Sequence, residues 1–252
     1  MKVAVCLHGL ATGTNDKGDP VSFNTGINSL KEHVCKHYDT DIFFHTWSTQ
    51  SENELINTYQ PKKHITETQI EFDGGSKTKR HMMFSRWYSF AKSIELMSKT
   101  RKKYDFVLSC RFDLVFLNKF LNFEKLNTNS FFVTNWVQNH CKYGYNDAWF
   151  VCNKANMKKM STIYDKLETY LTEGSEYEKY ILSLAEVSPG ETPEMRHKLS
   201  SHSLLRWHAN KTQKQVEFVG LDQKCWSLER KLNHPTDYPH FNLPLDEPRL
   251  EN

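Results

Sequence analysis

A short apolar run in the middle of this chain ends abruptly in two charges. Phe106-Val107-Leu108-Ser109-Cys110 is rich enough in β-branched and aromatic residues to predict a buried strand. Arg111 and Asp113 follow it, and side chains two apart on an extended chain project to the same side. A cation and a carboxylate aimed together from a buried strand are costly unless they meet a ligand, an ion or each other. In open α/β sheets, ligands bind outside the carboxyl ends of the strands. The pair therefore reads either as a ligand-binding tip or as an ion pair, Arg111 with Asp113 or with Asp105, that closes the sheet edge.

Other residues could join that chemistry. Asp147 ends the turn-rich segment that starts at Cys141 and precedes the apolar run Ala148 to Cys152. A carboxylate there could take the proton of an attacking hydroxyl, while an Asx residue equally suits a turn or a helix cap. His8 and Gly9 open the loop after a first predicted strand, Val3 to Leu7, without the G-x-G-x-x-G spacing of a dinucleotide fingerprint. His45 and Trp47 end a second predicted strand, Asp41 to Trp47, where they could touch a ligand or pack the sheet. The six cysteines include no C-x-x-C pair, so zinc-ligand spacing is absent. Neither a G-x-S-x-G elbow nor a G-x-x-x-x-G-K-[ST] loop occurs, which disfavours an α/β-hydrolase and a P-loop kinase.

The elements that must position these groups are legible in outline. Ile27, Leu30, Val34 and Tyr38 recur at three and four, predicting a helix between the first two strands and hence a right-handed βαβ unit with a parallel sheet. Residues 48–82 are polar, with Gly74-Gly75-Ser76 near their end, and predict an irregular connection. Met83 to Lys99 carries Phe84, Trp87, Tyr88, Ala91, Ile94, Leu96 and Met97, the broad apolar stripe of a helix that leads into the Phe106 strand. Ser130 to Thr134 predicts a strand, Asn156 to Leu171 a helix, Ser200 to His208 a short helix and Val216 to Val219 a last strand.

Bulk properties narrow the class. There are 33 basic and 30 acidic residues, a net charge of +3, and this near balance argues against a dedicated nucleic-acid binder. The first residues do not read as a secretory leader, and no apolar stretch approaches the length of a membrane span. The expectation is a cytoplasmic protein with reduced thiols and no transmembrane segment.

Several segments in order carry a resemblance: Lys2-Val3-Ala4-Val5-Cys6, Asp41-Ile42-Phe43-Phe44-His45-Thr46-Trp47, Trp87-Tyr88-Ser89, Tyr104-Asp105-Phe106-Val107 with Arg111-Phe112-Asp113, and Asn146-Asp147 before an apolar run. Over roughly residues 1 to 170 the chain resembles a family of GT-A-like glycosyltransferases found in bacteria, large DNA viruses and phages. The resemblance implies a nucleotide-sugar bound over a Rossmann-like sheet, usually with a divalent cation. GT-A enzymes usually carry Asp-x-Asp where this chain has Arg111-Phe112-Asp113. The family reading gives Asp113 an Mn²⁺ or Mg²⁺ ion, Arg111 a phosphate or sugar hydroxyl, and His8, Gly9, His45 and Trp47 the nucleotide. Asp147 becomes the base or acceptor ligand. Arg86 lies within possible reach of the site, and His202 matches a late histidine that some GT-A enzymes place on the metal. An arginine often follows the first strand in the family; Ala11-Thr12 stand there instead.

The combined expectation is an α/β, GT-A-like mixed and mainly parallel sheet flanked by helices in a single domain. Residues 1–233 would form that domain, 1–118 as the nucleotide-sugar-binding half and 119–233 as the acceptor half, with a Pro-rich tail over 234–252. The expected function is transfer of a sugar from a nucleoside-diphosphate donor to a hydroxyl of a glycan or glycoprotein acceptor, in the host cytoplasm if the chain is viral. The alternatives are a non-catalytic nucleotide-sugar or glycan-binding module on the same scaffold, and a nucleotidyltransferase, whose glycine-rich basic activation loop is not evident here.

Overall fold

A computed structural model describes residues 1–14, 20–72, 75, 78–117, 122–134, 144–184, 198–219 and 225–228. The Pro-rich tail, most of the Gly74-Gly75-Ser76 segment and residues 141–143 of the predicted turn lie outside the described residues.

The central element is a seven-stranded sheet. Its strands are β1 (Lys2–Gly9), β4 (Asp39–Thr46), β5 (Lys63–Thr66), β6 (Phe106–Arg111), β8 (Phe131–Thr134), β9 (Trp149–Cys152) and β10 (Val216–Val219), in the spatial order β10-β8-β9-β6-β1-β4-β5. β1 pairs in parallel with both β4 and β6, β4 with β5, and β8 with β10. β9 runs antiparallel to β6 and β8. The sheet is thus mixed and mainly parallel, as expected. Two short ribbons accompany it, β2 (Gly13–Thr14) with β3 (Pro20–Val21), and β7 (Leu114–Phe116) with β11 (Trp226–Leu228).

Both faces of the sheet's inner strands are buried, because alternate residues along them belong to different clusters. Val3, Val5, Leu7, Phe44, Leu108 and Cys110 face α1 (Asn24–Leu30), which a π-helical turn over Lys31–Cys35 prolongs, and α2 (Glu52–Tyr59). Ala4, Cys6, Phe43 and Val107 face the long α3 (Lys79–Ser98). Behind α3 pack α4 (Lys154–Ser161), α5 (Ile163–Leu171), α6 (Glu176–Leu184) and α7 (Ser201–Thr212). α3 begins where Thr78 accepts a hydrogen bond from the His81 amide at 3.0 Å, a cap for one of the free N–H groups of the first turn. Its buried residues Phe84, Trp87, Ser89, Phe90, Ile94 and Met97 broaden the stripe expected from the sequence.

Three predicted elements are corrected. Residues 48–82 are not wholly irregular: they contain α2 and β5. Only Leu55 and Tyr59, four residues apart, are buried on α2, and β5 is a four-residue edge strand with no buried position. Neither gives a strong periodic signal. The helix expected over Asn156 to Leu171 divides at Thr162 into α4 and α5. There the Ser161 and Thr162 hydroxyls donate to the carbonyls of Lys158 and Lys159, 2.9 and 2.8 Å, capturing acceptors at the end of α4. The strand at 216–219 is followed by β11, and α6 was absent from the sequence reading; its core anchors are Tyr177 and Ile181.

The chain leaves β1 for β4 and β5 on one side, then returns through α3 to β6 on the other. The connection reverses direction across β1, so the carboxyl ends of β1 and β6 flank a topological switch point. The turn after β6 is set by a close approach: a Cβ on Gly26 would lie 2.2 Å from the Phe112 carbonyl oxygen, so α1 can touch this turn only through glycine.

Candidate functional site

Three in-register positions cross the ends of the parallel strands: His45 of β4 opposite His8 of β1, and His8 opposite Arg111 of β6. Registered neighbours share a face, and this face is the one covered by α3. Arg86 and Ser89 of α3 reach it directly. The result is a row of polar side chains at the rim of an otherwise apolar layer.

At the switch point this row becomes two ion pairs. Arg111 donates from Nε to Asp113 Oδ1 and from Nη2 to Asp113 Oδ2, both at 2.7 Å, the forked geometry that makes such pairs strong. Its charge is favoured: burial disfavours it, but the Asp113 carboxylate outweighs burial and raises the Arg111 pKa. The Arg111 side chain is 28% exposed and that of Asp113 3%, so the guanidinium lies outermost and the carboxylate behind it.

Arg86 and Asp147 form the second pair, Nε to Oδ2 at 2.8 Å, with both side chains largely buried. Arg86 also donates from Nη2 to the Asp147 backbone carbonyl. Burial raises the Asp147 carboxyl pKa, but Arg86, His202 and Arg111 together outweigh it and hold the group well below the usual carboxylate range. The preceding turn is local in origin: Asn146 Oδ1 accepts the Ala148 amide at 2.9 Å, and the Arg111 amide donates to the Ala148 carbonyl at 3.3 Å. These bonds set the Asp147 loop against the end of β6.

His8 joins the two pairs. Its Nδ1 lies 3.3 Å from Arg86 Nη1. Arginine can only donate, so Nδ1 accepts and the neutral ring carries its proton on Nε2. Burial, then Arg86 and Arg111, lower the His8 pKa well below its ordinary value and keep the ring neutral. Among the described residues that buried Nε2 has no hydrogen-bond partner. A buried donor beside two guanidiniums is suited to an acceptor from a ligand, because leaving such a bond unmade is costly.

His202 arrives from the first turn of α7. Its Nδ1 is 2.9 Å from the Tyr145 carbonyl and 3.4 Å from Asp147 Oδ1. The Tyr145 amide returns a bond to the His202 carbonyl at 3.0 Å. A Cβ on Gly144 would lie 2.4 Å from the His202 carbonyl carbon, so this close docking requires glycine.

The remaining predicted residues take framework roles. His45 is fully buried, with Nδ1 2.7 Å from Ser89 Oγ and Nε2 2.8 Å from Glu67 Oε1. Both ring nitrogens of His45 are thus engaged within the fold. Trp47 is buried, stacked on Tyr88 at 5.3 Å and edge-on to His45 at 4.7 Å, and likewise packs rather than presenting a face. Gly9 donates to Ser89 Oγ at 2.7 Å and has φ +98°, so it turns the chain out of β1 while remaining tied to α3. Ser48 Oγ accepts from the Ala11 and Thr12 amides, both at 3.0 Å, which fixes the first loop to the end of β4. Sequence reasoning gave Ser89 no role beyond its place in the Trp87-Tyr88-Ser89 segment and missed Glu67, whose position carries no motif. It placed Arg86 only within reach of the site, although a lone arginine on the apolar face of α3 was the available signal.

The donor set does not suit the divalent cation implied by the resemblance. Asp113 has both oxygens in its bond to Arg111 and sits behind that cation, while Asp147 is paired with Arg86. Among the described residues no group of three or more His, Cys, Asp or Glu side chains could hold a metal. A hard dication needs at least one carboxylate to spare beside its waters and phosphates, and here both candidate carboxylates are spent on arginines.

Acid should destabilise the fold before it touches the carboxylates. Burial lowers the pKa values of His8 and His45, and takes that of His208 to about 4. Below about pH 6.5 the unfolded chain binds protons that these folded rings refuse, so stability falls as pH drops, by up to about 1.4 kcal/mol per pH unit per histidine. His208 ceases to contribute further loss below about 4. Asp147, with its lowered pKa, keeps its contribution above the ordinary carboxyl range and loses it only in stronger acid. Urea unfolding at pH 7 and pH 5 should show the lower midpoint at pH 5; equal midpoints would mean that the rings titrate normally in the folded protein.

Comparison with known proteins gives two solved structures of the glycosyltransferase GlyE from Streptococcus pneumoniae TIGR4. The apo form has a TM-score of 0.41 and 13% identity, over 88% of this chain and 45% of that chain. The second structure gives 0.42 and 16%, over 86% and 44%. The present chain therefore spans less than half the length of either. No family model and no curated protein matches the sequence. Among the described residues no helix is long and apolar enough to cross a membrane.

Proposed function

We propose that the protein is a GT-A-like glycosyltransferase that binds a nucleoside-diphosphate sugar at the crevice between β1 and β6. The observation that carries this reading is the Arg86, Arg111, Asp113, Asp147 cluster at the switch point, with the unmatched Nε2–H of His8 among its charges. Arginine has five donors, and Arg111 gives two of them to Asp113. The other three belong to a side chain that is 28% exposed, and a planar fork matches phosphate oxygens. Bond cleavage at the sugar leaves extra negative charge on the departing diphosphate. A fixed guanidinium beside that charge stabilises the transition state more than the ground state.

In this reading Arg111 meets the diphosphate, His8 Nε2 donates to the ligand, and Asp113 orients Arg111. The acceptor is a glycan or glycoprotein hydroxyl approaching from the Asp147 and His202 side.

Thermal melting against nucleoside diphosphates and their sugars, each with Mn²⁺ or with EDTA, tests the proposal. A ligand that binds only the native state raises the melting temperature, by about 2.7 kcal/mol of stabilisation at a hundredfold excess over Kd. The expected result is a selective shift with one nucleotide, retained in EDTA. A shift only with Mn²⁺ would return the phosphate to a metal, and no shift with any donor would remove the nucleotide-sugar reading. Binding of a donor with no transfer to any acceptor would favour the non-catalytic module.

A further inference from the structure

We infer that His202 is the general base of the reaction and that Asp147 is its positioning residue, an inference that rests on the transferase reading above. The Tyr145 carbonyl and the Asp147 carboxylate are both acceptors, and both lie on the Nδ1 side of the ring, at 2.9 and 3.4 Å. Nδ1 must therefore carry a proton, and in the neutral ring the lone pair belongs to Nε2. The His202 side chain is 38% exposed, whereas that of Asp147 is 14% exposed. The more accessible of the two side chains in this corner is the imidazole.

Asp147 is poorly suited to remove a proton itself. Burial favours its neutral form, yet Arg86, His202 and Arg111 hold it ionised well below the usual carboxylate range. A base so stabilised as the anion gains little from accepting a proton. The same fixed negative charge suits a different task, orienting an imidazole and stabilising the imidazolium that forms. Arg86 anchors the carboxylate from α3, and the backbone exchange between Tyr145 and His202 anchors the ring from α7. The charged and titratable groups facing this corner are thus Asp147, Arg86 and, beyond Asp147, Arg111, together with Tyr145 and Arg206, which lie against one another next to His202.

The step is a single displacement. The acceptor oxygen forms a bond to the anomeric carbon as its proton passes to His202 Nε2. The bond from that carbon to the phosphate oxygen breaks, and its electron pair leaves with the nucleoside diphosphate. The imidazolium then loses its proton to water. Attack opposite the leaving group inverts the configuration at the anomeric carbon, so the inference also fixes the stereochemical outcome.

The test uses the intact chain with its identified donor and acceptor. His202→Gln is expected to bind the donor with an unchanged Kd, to lower kcat at least about a hundredfold, and to lose the acidic limb of the kcat–pH profile. Asp147→Asn should lower kcat while keeping a shifted acidic limb, since the base remains. Product analysis by NMR should show the inverted anomer. A His202→Gln enzyme that keeps its acidic limb and near wild-type kcat, or a retained anomer, would overturn the inference while leaving the transferase reading intact. Absence of donor binding in the wild-type chain would overturn both. His202→Asn, which can still donate near the position of Nδ1, guards against a folding defect; recovery of kcat in that variant would show a purely structural role and also overturn the inference.

Discussion

Arg86→Ala is expected to lower the melting temperature by roughly 5–20 °C and to abolish transfer. The variant strands Asp147, whose side chain is 14% exposed, as a carboxylate without its principal partner. It also removes the donor to His8 Nδ1 and to the Asp147 carbonyl. Breaking a buried pair by deleting one member costs about 3–5 kcal/mol. For a domain of this size each kcal/mol moves the melting temperature by roughly 2–4 °C. The double variant Arg86→Met with Asp147→Asn removes both charges, and such replacements are often near neutral for stability. It should therefore recover much of the lost melting temperature but none of the activity. Calorimetry of the two singles and the double gives the coupling directly. Additive losses would mean that the two residues do not depend on each other.

Arg111→Lys should leave the protein folded and reduce kcat/KM by roughly 10²–10³-fold, the scale of losing one preorganised donor to a developing anion. Lysine keeps the positive charge and so keeps Asp113 compensated, but it cannot make two parallel bonds to that carboxylate and still present a fork outward. Arg111→Ala is the less informative variant, because it leaves Asp113, 3% exposed at its side chain, buried without a partner. Melting curves separate the two effects: a small shift for Lys and a large one for Ala. Arg111→Lys with full activity would take the diphosphate away from this residue. Activity restored to Arg111→Lys by Mn²⁺ would instead mean that a cation can replace the lost donors.

Much of the frame was legible because it depends on local periodicity. The strands at β1, β4, β6 and β8 and the stripe of α3 are apolar patterns that any arrangement of this chain must bury, and each lies close to its expected place, as does the half-buried β10. Arg111 and Asp113 were conspicuous for the same reason, as charges ending a run that cannot be exposed. The sequence also offered the ion pair as an alternative to ligand binding. The structure contains that pair, with a guanidinium still turned outward, so the alternatives are not exclusive.

What tertiary structure alone decided was partnership. Arg86 and Asp147 are 61 residues apart, and no local rule joins them. His45 could equally touch a ligand or pack the sheet until α3 and the segment after β5 supplied Ser89 and Glu67 to its two nitrogens. Asp147 read equally as a base or as a turn cap until Arg86 and Arg111 gathered around it as an anion, and His202 was placed beside it only when Gly144 let its helix dock against the Asp147 loop. A residue's type and its place on a strand or helix are written locally, because they follow from side-chain chemistry and backbone period. Its protonation and role depend on which distant charges share its low-dielectric surroundings, and only the folded chain brings those together.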